Sequence, residues 1–230
     1  MSRLTTTKRF LACGTIAGPV FVLAFFIEGA TRANYSALRH PVSSLAIGPS
    51  GWMQMINFFI TGALVLAAAI GLRRAFRPAF WGPVLIGVVA VGFIGAGLFT
   101  TDPIGGYPPG TPLLPVRTLG GLLHLLFSAP VFLVWPFACF VFSRLCFNRN
   151  RRRLATFLVW SGVAAVVTTI LTGIAINRVN PGLAEFAGAF QRMNLIIEFL
   201  WTGLLAVSLL RSAEATGYDQ SERLNLTTPS

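Results

Sequence analysis

Seven carboxylates and two histidines are the whole acid–base stock of this 230-residue chain. Glu214, Asp219 and Glu222 fall in the C-terminal tail. The remaining acids are Glu28, Asp102, Glu185 and Glu198, and the histidines are His40 and His124. A carboxylic acid kept neutral by apolar surroundings serves as a general acid, and a histidine as a base. Glu198, His124 and Asp102 are therefore the candidates for proton transfer. Arg192 and Arg117 are of the right type to hold a phosphate. Asn57, Gln54, Asn194, Glu28 and His40 complete the candidate binding set.

These groups need elements to position them. The chain is 54% hydrophobic and 11% charged, against roughly 25% charged in a soluble domain. A water-facing globule, a disordered chain and a disulfide scaffold are all excluded by that balance, with twenty Phe and three scattered Cys. Charge is absent from 10–27, 40–72, 78–101, 118–143 and 154–177, and 193–210 is broken once, by Glu198. A span takes about 20 apolar residues. The expectation is an all-α polytopic membrane protein, a six-transmembrane-helix bundle with helices near 10–30, 52–72, 79–99, 119–142, 154–176 and 190–211. Residues 1–9 precede it, and 212–230 form a polar tail expected to be mobile.

Basic residues set the direction. Thirteen of the eighteen lie in the N-terminus, around Arg73–Arg77 and Arg144–Arg153, and near Arg211. Five (Arg32, Arg39, Arg117, Arg178 and Arg192) lie on the other side. Both termini are thus expected in the cytoplasm of a bacterial inner membrane, as a multi-pass protein. The run Arg149–Arg153 reads as a topology anchor. The net charge of +11 is spread between apolar runs and does not form a nucleic-acid face, so no nucleic acid is expected as a partner. Glu28 and Arg32 stand where a signal peptide would carry small residues, and Cys13 precedes its apolar run, unlike a lipidation box. No CxxC or other metal spacing occurs, and a metal or haem shared by His40 and His124 is disfavoured because His40 falls in a loop. No cofactor is expected.

With that direction, every candidate lies outside or in the outer half of the bilayer. Glu198 falls about 12 Å below the start of its helix, where a charge costs about 2.5–3.5 kcal/mol. Three stripes at helical spacing accompany it: Gln191, Asn194, Glu198 and Trp201; Gly120, His124 and Ser128; Gln54, Asn57 and Thr61. Together they suggest a polar funnel open to the outside and shared by Glu198 and His124. Each residue also has a structural reading. Glu198 pairs with Arg192 or Arg117; His124 is a satisfied bundle histidine; His40 orders its turn; Asp102 caps the third helix or begins a turn; Glu185 is solvated; the Gln54–Asn57–Thr61 stripe bonds neighbouring helices. Two outer loops, 31–51 and 100–118, are long, and the second is too rich in Pro and Gly for a helix.

Four stretches carry a resemblance. They are Gly18-Pro19 with Glu28-Gly29; His40-Pro41-Val42-Ser43-Ser44-Leu45-Ala46 with Gly51-Trp52 and Asn57-Phe58; Phe99-Thr100-Thr101-Asp102-Pro103 with Gly120 and Leu123-His124; and Gly188-Ala189-Phe190-Gln191-Arg192 with Leu200-Trp201. In this order they resemble the bacterial membrane family catalogued as domain of unknown function 998. The resemblance implies a six-helix fold and a set of outer-face residues, with no reaction attached.

The function expected from the residues is an outer-leaflet polar pocket that binds or modifies a lipid or isoprenoid-like ligand, with enzyme and binding roles both open. The alternatives are an accessory or sensor protein whose outer loops bind a protein partner, and a small transporter.

Overall fold

The structure is a computed structural model and describes residues 3–114 and 116–227, with the backbone alone for Arg3 and for 213–227. It is helical throughout: α1 (Arg3–Thr31), α2 (Gly51–Ala75), α3 (Trp81–Leu98), α4 (Leu119–Leu133), α5 (Trp135–Phe147), α6 (Arg152–Ile176), the single turn α7 (Pro181–Ala184) and α8 (Ala187–Thr227). Six segments are long and apolar enough to cross a membrane, with α4 and α5 together making the fourth. Apolar side chains drive these segments into lipid, and helix formation satisfies the backbone groups that lipid cannot.

The spans form a closed ring in chain order. α1 packs on α2, α2 on α3, α3 on α4 and α5, α5 on α6, α6 on α8, and α8 back on α1. Lipid tails are as apolar as the helices, so close packing and interhelical hydrogen bonds hold such a ring together. Gly18 faces Phe199 so tightly that an added Cβ would lie 2.8 Å from the Phe199 Cβ. Trp135 Nε1 donates to Thr202 Oγ1 at 3.1 Å and Ser143 Oγ to the Ala155 carbonyl at 2.8 Å. Phe21, Phe93, Trp135 and Phe199 stack edge-on or tilted at 4.8–5.8 Å between centroids in the middle of the ring.

The fourth span differs from the single helix expected over 119–142. It is divided at Val134, between Pro130 and Pro136. Pro136 has no N–H for the carbonyl four residues back. That carbonyl, Phe132 O, accepts instead from Thr169 Oγ1 of α6 at 3.1 Å. Below the break α5 packs closely on α6; above it, α4 leans on α3 and scarcely meets α6. The ring is therefore shut at one end and parted at the other.

The parted end carries the long connections. Residues 32–50 contain a 3-10 turn, Val42–Ala46. In the second connection residues 104–114 fold back on themselves, with Gly105 N donating to Leu113 O at 3.0 Å and φ of +67° and +77° at Gly105 and Gly106. At the opposite end Arg149 donates to Ala75 O, at 3.1 and 3.2 Å, and lies over the Phe76 ring at 4.3 Å. We call these the loop end and the arginine end. The last span covers Ala187–Ser212, close to the expected 190–211, and its helix continues to Thr227. Side chains beyond Ser212, residues 228–230 and the expected mobility of that tail lie outside the described residues.

Candidate functional site

A cavity of about 370 Å³ occupies the parted end, within the range of small-molecule sites. Its walls come from the loop-end halves of α1, α2, α3, α4, α6 and α8 and from the two long loops. Apolar side chains dominate its depth: Phe21, Phe58, Phe93, Val131 and Leu195. Val131 is twelve residues into α4, about 18 Å below its start. Along the α4–α6 seam the lining reaches the outer surface of the bundle, where Leu125 is 49% and Leu133 57% exposed and Gly173 is open.

Polar groups collect at the loop end. Asp102, Arg117, His124 and Gln191 all line the cavity. Asp102 follows the end of α3, but it serves the start of α4. Its Oδ1 accepts from Thr118 Oγ1 at 2.6 Å and its Oδ2 from the Thr118 amide at 3.2 Å. Thr118 is the N-cap of α4 and accepts from Gly121 N at 3.0 Å. The carboxylate presses so closely on Gly121 that a Cβ there would fall 1.9 Å from Oδ2, so only glycine fits. The expectation that Asp102 caps the third helix is thus corrected: the orphan N–H groups that a side-chain oxygen satisfies belong to α4.

His124, 5% exposed, places Nδ1 at 2.7 Å from Phe99 O, a carbonyl at the end of α3. A carbonyl only accepts, so Nδ1 carries the hydrogen and neutral His124 keeps its lone pair on Nε2. Gln191 accepts from Val42 N at 2.7 Å through Oε1; no bond is made by its Nε2 among the described residues. Arg117 is exposed at the mouth, and among the described residues no carboxylate lies within ion-pair distance of it.

The other candidates lie elsewhere. Glu198 is fully buried and does not line the cavity; Leu195 is the last α8 residue that does, so the carboxyl begins the turn below. Glu198 Oε2 accepts from Trp201 Nε1 at 2.5 Å, and Oε1 has no partner. It pairs with neither Arg192 nor Arg117, and the expected chamber shared by Glu198 and His124 is not formed. The reason is the pitch of α8: Gln191 and Leu195 hold one edge, while Asn194 is turned to α6, where its Nδ2 donates to Ala165 O at 2.8 Å and Thr169 Oγ1 at 2.9 Å.

Arg192 is a clamp. It is 6% exposed, and its Nη1 donates to Ala37 O, His40 O and Gly188 O at 2.6, 3.0 and 3.0 Å. Nη2 donates to the Tyr35 hydroxyl, which donates in turn to Pro41 O at 2.9 Å. Carbonyl dipoles and the faces of Phe25 and Tyr35 substitute for a counter-charge. Burial pushes the Tyr35 hydroxyl above its usual range, with Arg192 pulling the other way.

His40 sits inside this latch against Tyr107, at 5.0 Å between centroids. Its Nδ1 accepts from Ser36 N at 2.9 Å. Burial, then the adjoining Arg39 charge, holds it below the ordinary histidine value. Pro41–Ser43, directly after it, form part of the cavity wall. Glu185, expected to be solvated, has a side chain 44% exposed and pairs with Arg39 at the surface.

Gln54, Asn57 and Glu28 belong to a third group, between α1 and α2. Asn57 Nδ2 donates to Phe21 O and to Gln54 Oε1, each at 3.3 Å. Glu28 lies 3.7 Å from Arg32, which holds the Ile47 and Ser50 carbonyls at 3.0 and 3.2 Å. The expected funnel of three stripes therefore reduces to the α4 edge and the upper part of α8. The reading missed α6, whose Thr169, Thr172 and Gly173 line the cavity; their helical spacing in an outer half was the available signal. Among the described residues no His, Cys, Asp and Glu cluster could hold a metal ion.

A family model described as "Protein of unknown function (DUF998)" matches residues 15–208. No curated protein and no solved structure matches the chain. By its sequence over nearly all the spans, the chain belongs to the DUF998 family.

Proposed function

We propose that this family member takes a lipid or isoprenoid-like amphiphile from the outer leaflet into the loop-end cavity, through the seam between α4 and α6. The observation that carries the reading is the pairing of a lateral opening at Leu125, Leu133 and Gly173 with a polar ceiling at Asp102, Arg117, His124 and Gln191. An amphiphile fits that gradient, tail toward Phe21, Phe58 and Phe93 and head toward the ceiling. His124 Nε2, with Nδ1 fixed on Phe99 O, is placed to take a proton from a headgroup hydroxyl.

The same reading puts the arginine end in the cytoplasm of a bacterial inner membrane, on the bias of thirteen basic residues to five. Below the cavity the packed Phe93, Trp135 and Phe199 rings favour a one-sided pocket over a transport path.

A blocking substitution tests this. A Cβ on Gly173 meets nothing within 4 Å, so Gly173→Trp fills open space at the seam and leaves the packing intact. In liposomes containing a lipid with a diazirine on its acyl chain, irradiation is expected to label the wild-type α4 and α6 lining, and Gly173→Trp to lose that label while melting at the same temperature or higher. Equal labelling of both proteins at these residues overturns the reading.

A further inference from the structure

Resting on that reading, we infer that the amphiphile carries an oxyanion headgroup, a phosphate or carboxylate, held by Arg117 and Gln191 at the cavity ceiling. A count of donors and acceptors points there. Arg117 brings five N–H donors and has no acid partner among the described residues. Gln191 is locked by Val42 N on Oε1, which fixes the amide so that the oxygen is used and the two Nε2 hydrogens remain. The one carboxylate in the lining, Asp102, is bonded through both oxygens to Thr118, and it forms no ion pair with Arg117. The ceiling therefore offers unused donors at Arg117 and Gln191.

That balance discriminates between headgroups. An oxyanion accepts from a guanidinium and an amide together, by charge-assisted bonds about twice as strong as neutral ones. A quaternary ammonium would meet Arg117 with like charge and leave the Gln191 hydrogens unpaired. A plain alcohol accepts at most two of these hydrogens and gives no charge to either bond. His124 Nε2, the lone-pair nitrogen of the neutral ring, accepts the hydrogen of a singly protonated phosphate. The guanidinium at the mouth and the amide further in receive such a group at the end of a chain lying in the apolar depth.

The test uses the full chain purified in dodecyl maltoside, with the melting temperature read as a function of added probe. Dodecyl phosphate and dodecanoate are expected to raise it. Dodecanol and dodecyltrimethylammonium are expected to act at least tenfold more weakly, and inorganic phosphate, lacking the chain, to have no effect. Arg117→Gln is expected to weaken dodecyl phosphate at least tenfold more than dodecanol; Arg117→Lys recovers part of that loss. Dodecanol equal to dodecyl phosphate in the wild type, or Arg117→Gln weakening both equally, overturns the headgroup assignment and leaves the amphiphile reading standing. A response to inorganic phosphate equal to that of dodecyl phosphate overturns the lipid source. No response to any probe, with Gly173→Trp indistinguishable from wild type, removes both readings.

Discussion

Asp102 and Thr118 close the second long loop on itself, the carboxylate taking both the hydroxyl and the amide of the threonine, at 2.6 and 3.2 Å. One pair thereby fixes the start of α4 and ends the span of chain that roofs the cavity. The carboxylate also sits at a helix N-terminus, where negative charge is favoured.

Thr118→Ala removes the acceptor for Gly121 N and one partner of Asp102. Loss of such a cap costs about 0.5–2 kcal/mol. A lowered melting temperature in detergent, with dodecyl phosphate binding weakened in parallel, is expected; an unchanged melt would show that the cap contributes nothing to this fold.

Glu198→Gln separates burial from chemistry. Gln keeps an oxygen for Trp201 Nε1 and keeps the volume, so the yield of folded protein is expected to hold. Because Glu198 lies outside the cavity lining, probe binding is expected within about twofold of wild type. Binding lost with the fold intact would place Glu198 in the site after all. Glu198→Ala strands a buried indole N–H and opens a void, and is expected to destabilise by about 2–5 kcal/mol.

His40 sets a pH dependence. Its folded value is held below the ordinary 6.5 by burial and Arg39, with Glu185 opposing, so the unfolded chain takes up the proton first as pH falls. Stability from this group is complete above about 6.5 and is lost progressively below it, until the folded histidine also protonates. The melting temperature is expected to drop between about pH 7.5 and pH 5.5. His40→Gln, which retains an acceptor for Ser36 N, is expected to drop less over the same interval; equal slopes would sink the assignment.

The spans were legible because charge-free runs of this length have no soluble solution. The break at Val134 was not, although Pro130 and Pro136 mark it, because prolines are tolerated within membrane helices when another group covers the freed carbonyl, and Thr169 is remote in sequence. For the cavity, type and depth picked out Asp102, His124 and Arg117, which line it. They also picked out Glu198 and Arg192, which share α8 with Gln191 but differ in angle around it and do not line the cavity. Periodicity says that residues share a face; it does not say which neighbour that face meets. Arg192 is of the right type to hold a phosphate, but here the Ala37, His40 and Gly188 carbonyls take up its guanidinium. Thr169, Thr172 and Gly173 carry no charge and drew no notice, yet they form one side of the opening.

The hydroxyl of Thr169, standing in for the amide hydrogen that Pro136 lacks, bolts together two segments 37 residues apart at mid-depth. Bend and slot thus become one mechanical variable: the angle of α4 cannot relax without drawing that bolt, and the bolt anchors the lower rim of the slot. Replacing Pro136 with a residue that has its own N–H would hand the carbonyl back to its helix, release the bolt and straighten the span, narrowing the gap between α4 and α6 by backbone geometry.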